Sequence, residues 1–187
     1  AVEAQLLGLR CIGVDISPVC TLVSRVKTES TRILDRVIEY KRQYEVIART
    51  AAKSKAQPPS SRLEESDDER VRNFFKVAEL IAHSDQTRRG RPFIESFVSN
   101  ITRMAASVQD VQDACHQLNI TLGPVDIRSG DARSLPLEDA SVDAILTSPP
   151  YAMTLDYVEN DLHAFQALGY KPIMIRDKFI GVRGNKK

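Results

Sequence analysis

Two consecutive prolines, Pro149 and Pro150, follow the apolar run Val142-Asp143-Ala144-Ile145-Leu146 and the polar pair Thr147-Ser148, and they constrain this chain more than any other feature. The run has the length and β-branched content of a buried strand, which predicts a strand over 142–146. Prolines lack the N–H that a sheet ladder needs, so the chain must leave the sheet at Ser148. Each proline also fixes φ, and a residue before proline is pushed to extended backbone, so the path from Ser148 to Tyr151 is nearly predetermined. In an open α/β sheet, ligands bind in the crevice beyond the carboxyl ends of the strands, where a stiff polar loop with outward carbonyls makes a reaction site. Taken alone, Ser148-Pro149-Pro150-Tyr151 also suits a simple proline turn, so its neighbours decide.

Two further strand ends carry an acid. Leu9 to Ile16 reads as a short apolar strand that ends at Asp15 and turns through Ser17-Pro18 into a helix. Rossmann-like sheets use an acid at a strand tip to accept hydrogen bonds from ribose hydroxyls. A helix-capping or turn role is the alternative for Asp15. Val125 to Ser129 alternates apolar and polar residues and runs into Gly130-Asp131-Ala132 before a loop. Asp139 falls in a turn-like segment and is expected to be solvated, whereas Asp143 is expected inside its strand, pointing to a loop or a helix end.

In this order, strand-acid, strand-acid and strand-Ser-Pro-Pro-Tyr, the chain resembles the S-adenosylmethionine-dependent amino-methyltransferases. These enzymes methylate the exocyclic amine of adenine or cytosine in DNA and carry Asp, Asn or Ser followed by Pro-Pro and an aromatic. Asp15-Ile16-Ser17-Pro18, leading to Arg25-Val26-Lys27-Thr28, and Leu155-Asp156-Tyr157 are similar to a bacterial group of site-specific DNA methyltransferases. The resemblance covers the beginning and the end of the chain, and the middle matches no motif.

The resemblance implies S-adenosylmethionine as cofactor, with Asp15 and Ile16 at its ribose and Asp131 and Ala132 at its adenine. It implies Ser148, Pro149, Pro150 and Tyr151 as the catalytic site. The target amine would donate to the Ser148 side chain and the Pro149 carbonyl, which favours a pyramidal nitrogen with its lone pair aimed at the methyl sulfonium. Tyr151 would stack on a base flipped from the helix, an extrusion that costs a few kcal/mol. Positioning then supplies much of the rate, and neither a metal nor a covalent intermediate is required. Ser at the first motif position leans towards cytosine N4 over adenine N6. The implied setting is the bacterial cytoplasm, with DNA as substrate and a restriction–modification system supplying a partner nuclease. Two alternatives stand beside it: an RNA amino-methyltransferase, and a non-catalytic helical interaction fragment of a larger methyltransferase.

One family feature is missing, the strand and glycine-rich Phe-x-Gly-x-Gly loop that approaches the methionine part of the cofactor. The chain opens on Ala1 to Leu7, which reads as the helix after that loop, with Gly8 as its stop. The expected fold class is therefore α/β: a Rossmann-like class I methyltransferase core over 1–27 and 120–187, incomplete at the N-terminus, with a large helical insertion over 28–119. A sheet lacking its first strand exposes unpaired edges, or a gap, unless another segment fills it.

The insertion carries three stripes at helical spacing. They are Ile33, Val37, Tyr40, Tyr44 and Ile47; Val71, Phe74, Phe75, Ala78 and Ile81; and Phe93, Phe97, Met104, Val108, Val111, Cys115 and Leu118. Lys53 to Asp68 is the expected linker and Gln86 to Pro92 a second turn. With a formal net charge of only +1, nucleic acid must be met by local clustering, not by a global field. Arg88-Arg89-Gly90-Arg91 is such a cluster, although charges of both signs alternate through the insertion and a solvated helical face is the stronger reading. Cys11, Cys20 and Cys115 lack metal spacing and read as reduced thiols. No metal, no membrane segment and no internal repeat are expected.

Overall fold

The structure, a computed structural model, describes residues 1–51, 66–148, 156–171 and 176–179. It is mixed α/β and mostly helical, with a small two-stranded parallel sheet of β1 (Cys11–Asp15) and β2 (Val125–Ser129). The chain divides into two compact units, one of Ala1–Gly13 with Leu22–Ile127, the other of Val14–Thr21 with Arg128–Lys187.

In the first unit, α1 (Val2–Leu6) stops at Gly8 as expected. Gly8 has φ +73°, a left-handed conformation that glycine adopts without a Cβ penalty. The buried Gln5 side chain donates to the Thr28 carbonyl at 2.9 Å, near the end of α2 (Pro18–Glu29). Beyond a 3-10 turn at Ser30–Arg32 come α3 (Leu34–Ala51), α4 (Glu69–Arg89) and α5 (Phe93–Gln117), which pack on one another.

The stripes explain why they pack. Ile33, Val37 and Tyr44 are buried, as are Val71, Phe74, Phe75 and Ala78, and Phe97 with Ile101 on α5; Tyr40, Phe93, Met104 and Val108 pack against them. The Tyr44 ring sits 5.2 Å from Phe75 and 5.3 Å from Phe97, at angles that avoid a face-to-face stack. Two stripe positions differ from expectation. Ile81 is 38% exposed because Ala82, four residues after Ala78, takes the inward place, and Leu118 is 69% exposed because α5 ends at Gln117. The Ile47 side chain lies outside the described residues.

The first expected connection ends where predicted, and the second is shorter than predicted. Residues 52–65 lie outside the described residues; α4 starts at Glu69, directly after Asp68, whose carboxylate caps the helix by accepting from the Arg70 N–H at 2.9 Å. The same carboxylate pairs with Arg36 at 3.1 Å and Arg70 at 2.8 Å, tying α3 to the head of α4. At the other end α4 runs through Gln86 to Arg89 and closes on Gly90 (φ +65°), whose N–H donates to the Gln86 carbonyl at 3.1 Å. The turn is therefore only residues 90–92.

The second unit corrects the opening expectation. Residues 142–146 form no strand: Val142 is 43%, Ile145 78% and Leu146 101% exposed, and Asp143 lies in an exposed bend rather than inside a ladder. A strand exists only where a neighbour takes up its N–H and C=O groups. β1 and β2 pair with each other, and no further strand is present among the described residues. Asp139 lies in an exposed turn, as expected. A small apolar cluster forms where α6 (Tyr157–Asn160) and α7 (Leu162–Ala167) bury Val158 and Phe165, with Val19 and Phe179 packed against them. Asp156 caps α6 by accepting from the Val158 and Glu159 N–H groups, both at 3.1 Å, and pairs with Arg176. Among the described residues no helix is long and apolar enough to cross a membrane.

Candidate site at the strand ends

β1 and β2 are adjacent and parallel, so their carboxyl ends lie at the same side of the sheet. At their start the Cys11 N–H donates to the Pro124 carbonyl at 2.9 Å; at their end the Gly130 N–H donates to the Asp15 carbonyl at 3.0 Å. A side chain at position 130 would crowd this junction, because its Cβ would stand 3.0 Å from Val14 Cγ1.

Asp15 is exposed at the tip of β1, and its Oδ1 accepts from the Ser17 N–H at 2.8 Å. Ser17 is buried and its Oγ accepts from the Cys20 N–H at 3.3 Å, so Ser17 caps α2 while Pro18 occupies the first helical position. One oxygen of Asp15 thus serves the turn, and Oδ2 accepts no hydrogen bond among the described residues. Ile16 is half-buried beside it.

Asp131 follows β2 by two residues and is wrapped by Arg133. Its Oδ1 accepts from the Arg133 backbone N–H and from Nε, both at 2.9 Å, while Oδ2 accepts from Nη2 at 2.6 Å and Nε at 3.1 Å. The Arg133 guanidinium, then the Arg133 N–H, hold the carboxyl down at about 2. Ala132 is exposed. Sequence reasoning missed Arg133, although an arginine two residues after an aspartate at a strand exit is the available signal.

Ser148 is exposed in the same compact unit as Asp15 and Asp131, without the strand that was expected to position it. Pro149, Pro150 and Tyr151 lie outside the described residues. Arg88, Arg89 and Arg91 belong to the first unit, where Arg89 and Arg91 pair with the buried Asp85 at 3.0 and 3.8 Å. A cleft of about 430 Å³ in that unit is lined by Arg25, Glu29, Glu69, Arg70, Asn73 and the start of β2, none of them an expected site residue.

These residues fit S-adenosylmethionine unevenly. Asp15 is exposed, and its Oδ2, which no described residue occupies, is an acceptor suited to a ribose hydroxyl. The Asp131 carboxylate is also an acceptor, but an adenine amine must share it with, or take it from, the Arg133 guanidinium, which is itself 61% exposed. Compared with known proteins, the chain matches no family model, no curated protein and no solved structure.

Proposed function

We propose that this chain acts as an S-adenosylmethionine-dependent DNA amino-methyltransferase, transferring a methyl group to cytosine N4 or adenine N6. The observation that supports it best is the Gly130 to Asp15 hydrogen bond, which holds two acid-bearing strand ends side by side at the ligand-binding edge of a parallel sheet. In this reading β1 and β2 belong to a Rossmann-like core.

The cofactor supplies an electrophilic methyl group. The chain's own residues then bind and orient. Asp15 accepts a ribose hydroxyl through Oδ2, Asp131 accepts the adenine amine, and Ile16 and Ala132 flank the two contacts. Ser148 and the Pro149 carbonyl accept from the two protons of the target amine, Pro150 keeps that carbonyl stiff, and Tyr151 offers a face for the extruded base. The direct test incubates the chain with S-adenosylmethionine and duplex DNA and reads N4-methylcytosine and N6-methyladenine by mass spectrometry of the nucleosides. Either product, lost in Ser148→Ala, supports the reading; methylation of RNA alone would replace the substrate.

The exposure of Ile145 and Leu146 favours a second reading, a non-catalytic interaction fragment whose stable part is the α3–α5 bundle. An absence of both products together with a folded bundle would select it.

A further inference from the structure

The turn between α4 and α5 carries more than a solvated run of arginines. Asp85 is only 5% exposed in the last turns of α4, and a carboxylate is buried only where partners compensate it. Its Oδ2 accepts from the Ser96 hydroxyl at 2.6 Å, across the turn on α5. Its Oδ1 accepts from Arg89 Nη1 at 3.0 Å, and Arg91 lies 3.8 Å from Oδ2. The buried Asn100 side chain donates to Ser96 Oγ at 3.3 Å, and its own Oδ1 accepts from Arg103. The Ser96 hydroxyl first, then the three guanidinium groups, hold the Asp85 carboxyl below its ordinary range against the opposing effect of burial.

Two guanidinium groups therefore pair with one carboxylate and a third acts on it from Asn100, so the three arginines outnumber it. Arg89 and Arg91 are 65% and 55% exposed, and Arg103 is exposed as well. On an ordinary solvated face a long side chain is free to rotate and loses rotamer freedom when a ligand fixes it. Here the buried Asp85 carboxylate already hydrogen-bonds Arg89 and pairs with Arg91, and the buried Asn100 side chain holds Arg103, so less freedom remains to be lost on binding. Planar guanidinium forks suit phosphate oxygens, which accept two parallel N–H bonds. Between Asp85 and Arg103 no large apolar side chain is exposed, so the patch lacks the anchor on which a protein partner would seat.

We propose that the α4–α5 turn is a contact for the phosphodiester backbone of duplex DNA, with Arg89, Arg91 and Arg103 donating to phosphates, Asp85 positioning the first two and Asn100 the third. The choice of DNA as the polymer rests on the function proposed above, whereas the contact itself requires no methyl transfer.

The test measures binding of a labelled short DNA duplex by fluorescence anisotropy across a salt series, with no cofactor present. Neutralising two phosphate contacts in R89Q/R91Q should weaken binding and flatten the slope of log K against log salt by about 1.8, at about 0.9 per phosphate. The control R32Q/R42Q removes the same charge from exposed positions elsewhere and should leave the slope unchanged. D85N adds one unit of positive charge and should nevertheless weaken binding, because the forks lose their anchor. If D85N does not fold, S96A replaces it with the same expected weakening. An unchanged slope in R89Q/R91Q, equal losses in both double variants, or tighter binding by D85N would overturn the inference. Failure of the parent chain to bind duplex DNA would also overturn it, and titration of the parent with S-adenosylmethionine then shows whether the methyltransferase reading falls too.

Discussion

The backbone N–H of Gly130 donates to the carbonyl of Asp15 at 3.0 Å, so the exits of two neighbouring parallel strands are locked together with an acid at each. Residues separated by more than a hundred positions in sequence thereby share one edge. Asp15 presents there an oxygen that accepts no hydrogen bond among the described residues, and Asp131 presents a carboxylate that Arg133 already holds.

The hold of Arg133 on Asp131 is testable by titration. The folded value near 2 lies below the ordinary value of 3.8, so the pair contributes stability that is present above about pH 3.8 and is lost as the pH falls towards 2. Arg133→Ala should return the Asp131 carboxyl towards its ordinary value, read from the side-chain carboxyl shift by NMR. If the adenine amine competes with the guanidinium, the same variant should bind S-adenosylmethionine more tightly than the parent. Weaker binding would mean that Arg133 itself contacts the cofactor.

Asp68 should behave similarly in a structural role. Its carboxyl is held at about 2, chiefly by the Arg70 side chain, and it caps α4. Asp68→Ala should cost about 1 kcal/mol in urea denaturation near neutral pH, the usual worth of a cap. That difference should shrink as the pH falls from about 3.8 towards 2, because the unfolded chain protonates Asp68 before the folded one does. A constant difference down to pH 2 would remove the cap from the account.

Core and strand segment should respond oppositely to truncation. Phe75 is fully buried between Tyr44, Tyr40 and Phe74, so Phe75→Ala should cost about 3–5 kcal/mol. Leu146 is fully exposed, and Leu146→Ser should change stability by no more than about 0.5 kcal/mol. A loss of several kcal/mol in Leu146→Ser would show that residues 142–146 are paired and buried after all.

Gly123 is a steric requirement. A Cβ there would overlap the Leu9 carbonyl oxygen and approach the Gly8 carbonyl carbon and the Leu9 nitrogen to 2.7 Å, and its own N–H donates to the Gln5 carbonyl at 2.8 Å. Backbone cannot move aside as a flexible side chain can. Gly123→Ala should therefore destabilise by about 1–3 kcal/mol in the same denaturation assay, the usual cost of overpacking. An unchanged midpoint would mean that the connection from α1 into β1 is looser than described.

What the sequence makes legible follows from what is local. The helical stripes are read correctly at Val37, Tyr44, Phe74, Phe75 and Phe97, because burial on a helix repeats within a few residues. The stop at Gly8 and the strands ending at Asp15 and Ser129 follow from equally local signals. The strand expected at 142–146 fails for the opposite reason: composition shows that a segment suits a sheet, not that a neighbour is there to pair with it. The same limit hid Asp85, whose partner Ser96 lies across a turn, and placed the α4 boundary too early, because Gln86 to Arg89 are polar yet still complete the last helical turn. At the candidate site, the places of Asp15 and Asp131 at the strand ends were legible, whereas the Asp131 carboxylate's occupation by Arg133 depends on how the chain curls after Gly130.

The central claim is that Asp15 and Asp131 hold S-adenosylmethionine together, and calorimetric titration of the parent chain beside the D15A/D131A double variant tests it most directly. Saturable binding is expected in the parent and should vanish in a variant that retains the parent's helical content. Binding of equal strength in both would contradict it, as would no binding in a folded parent.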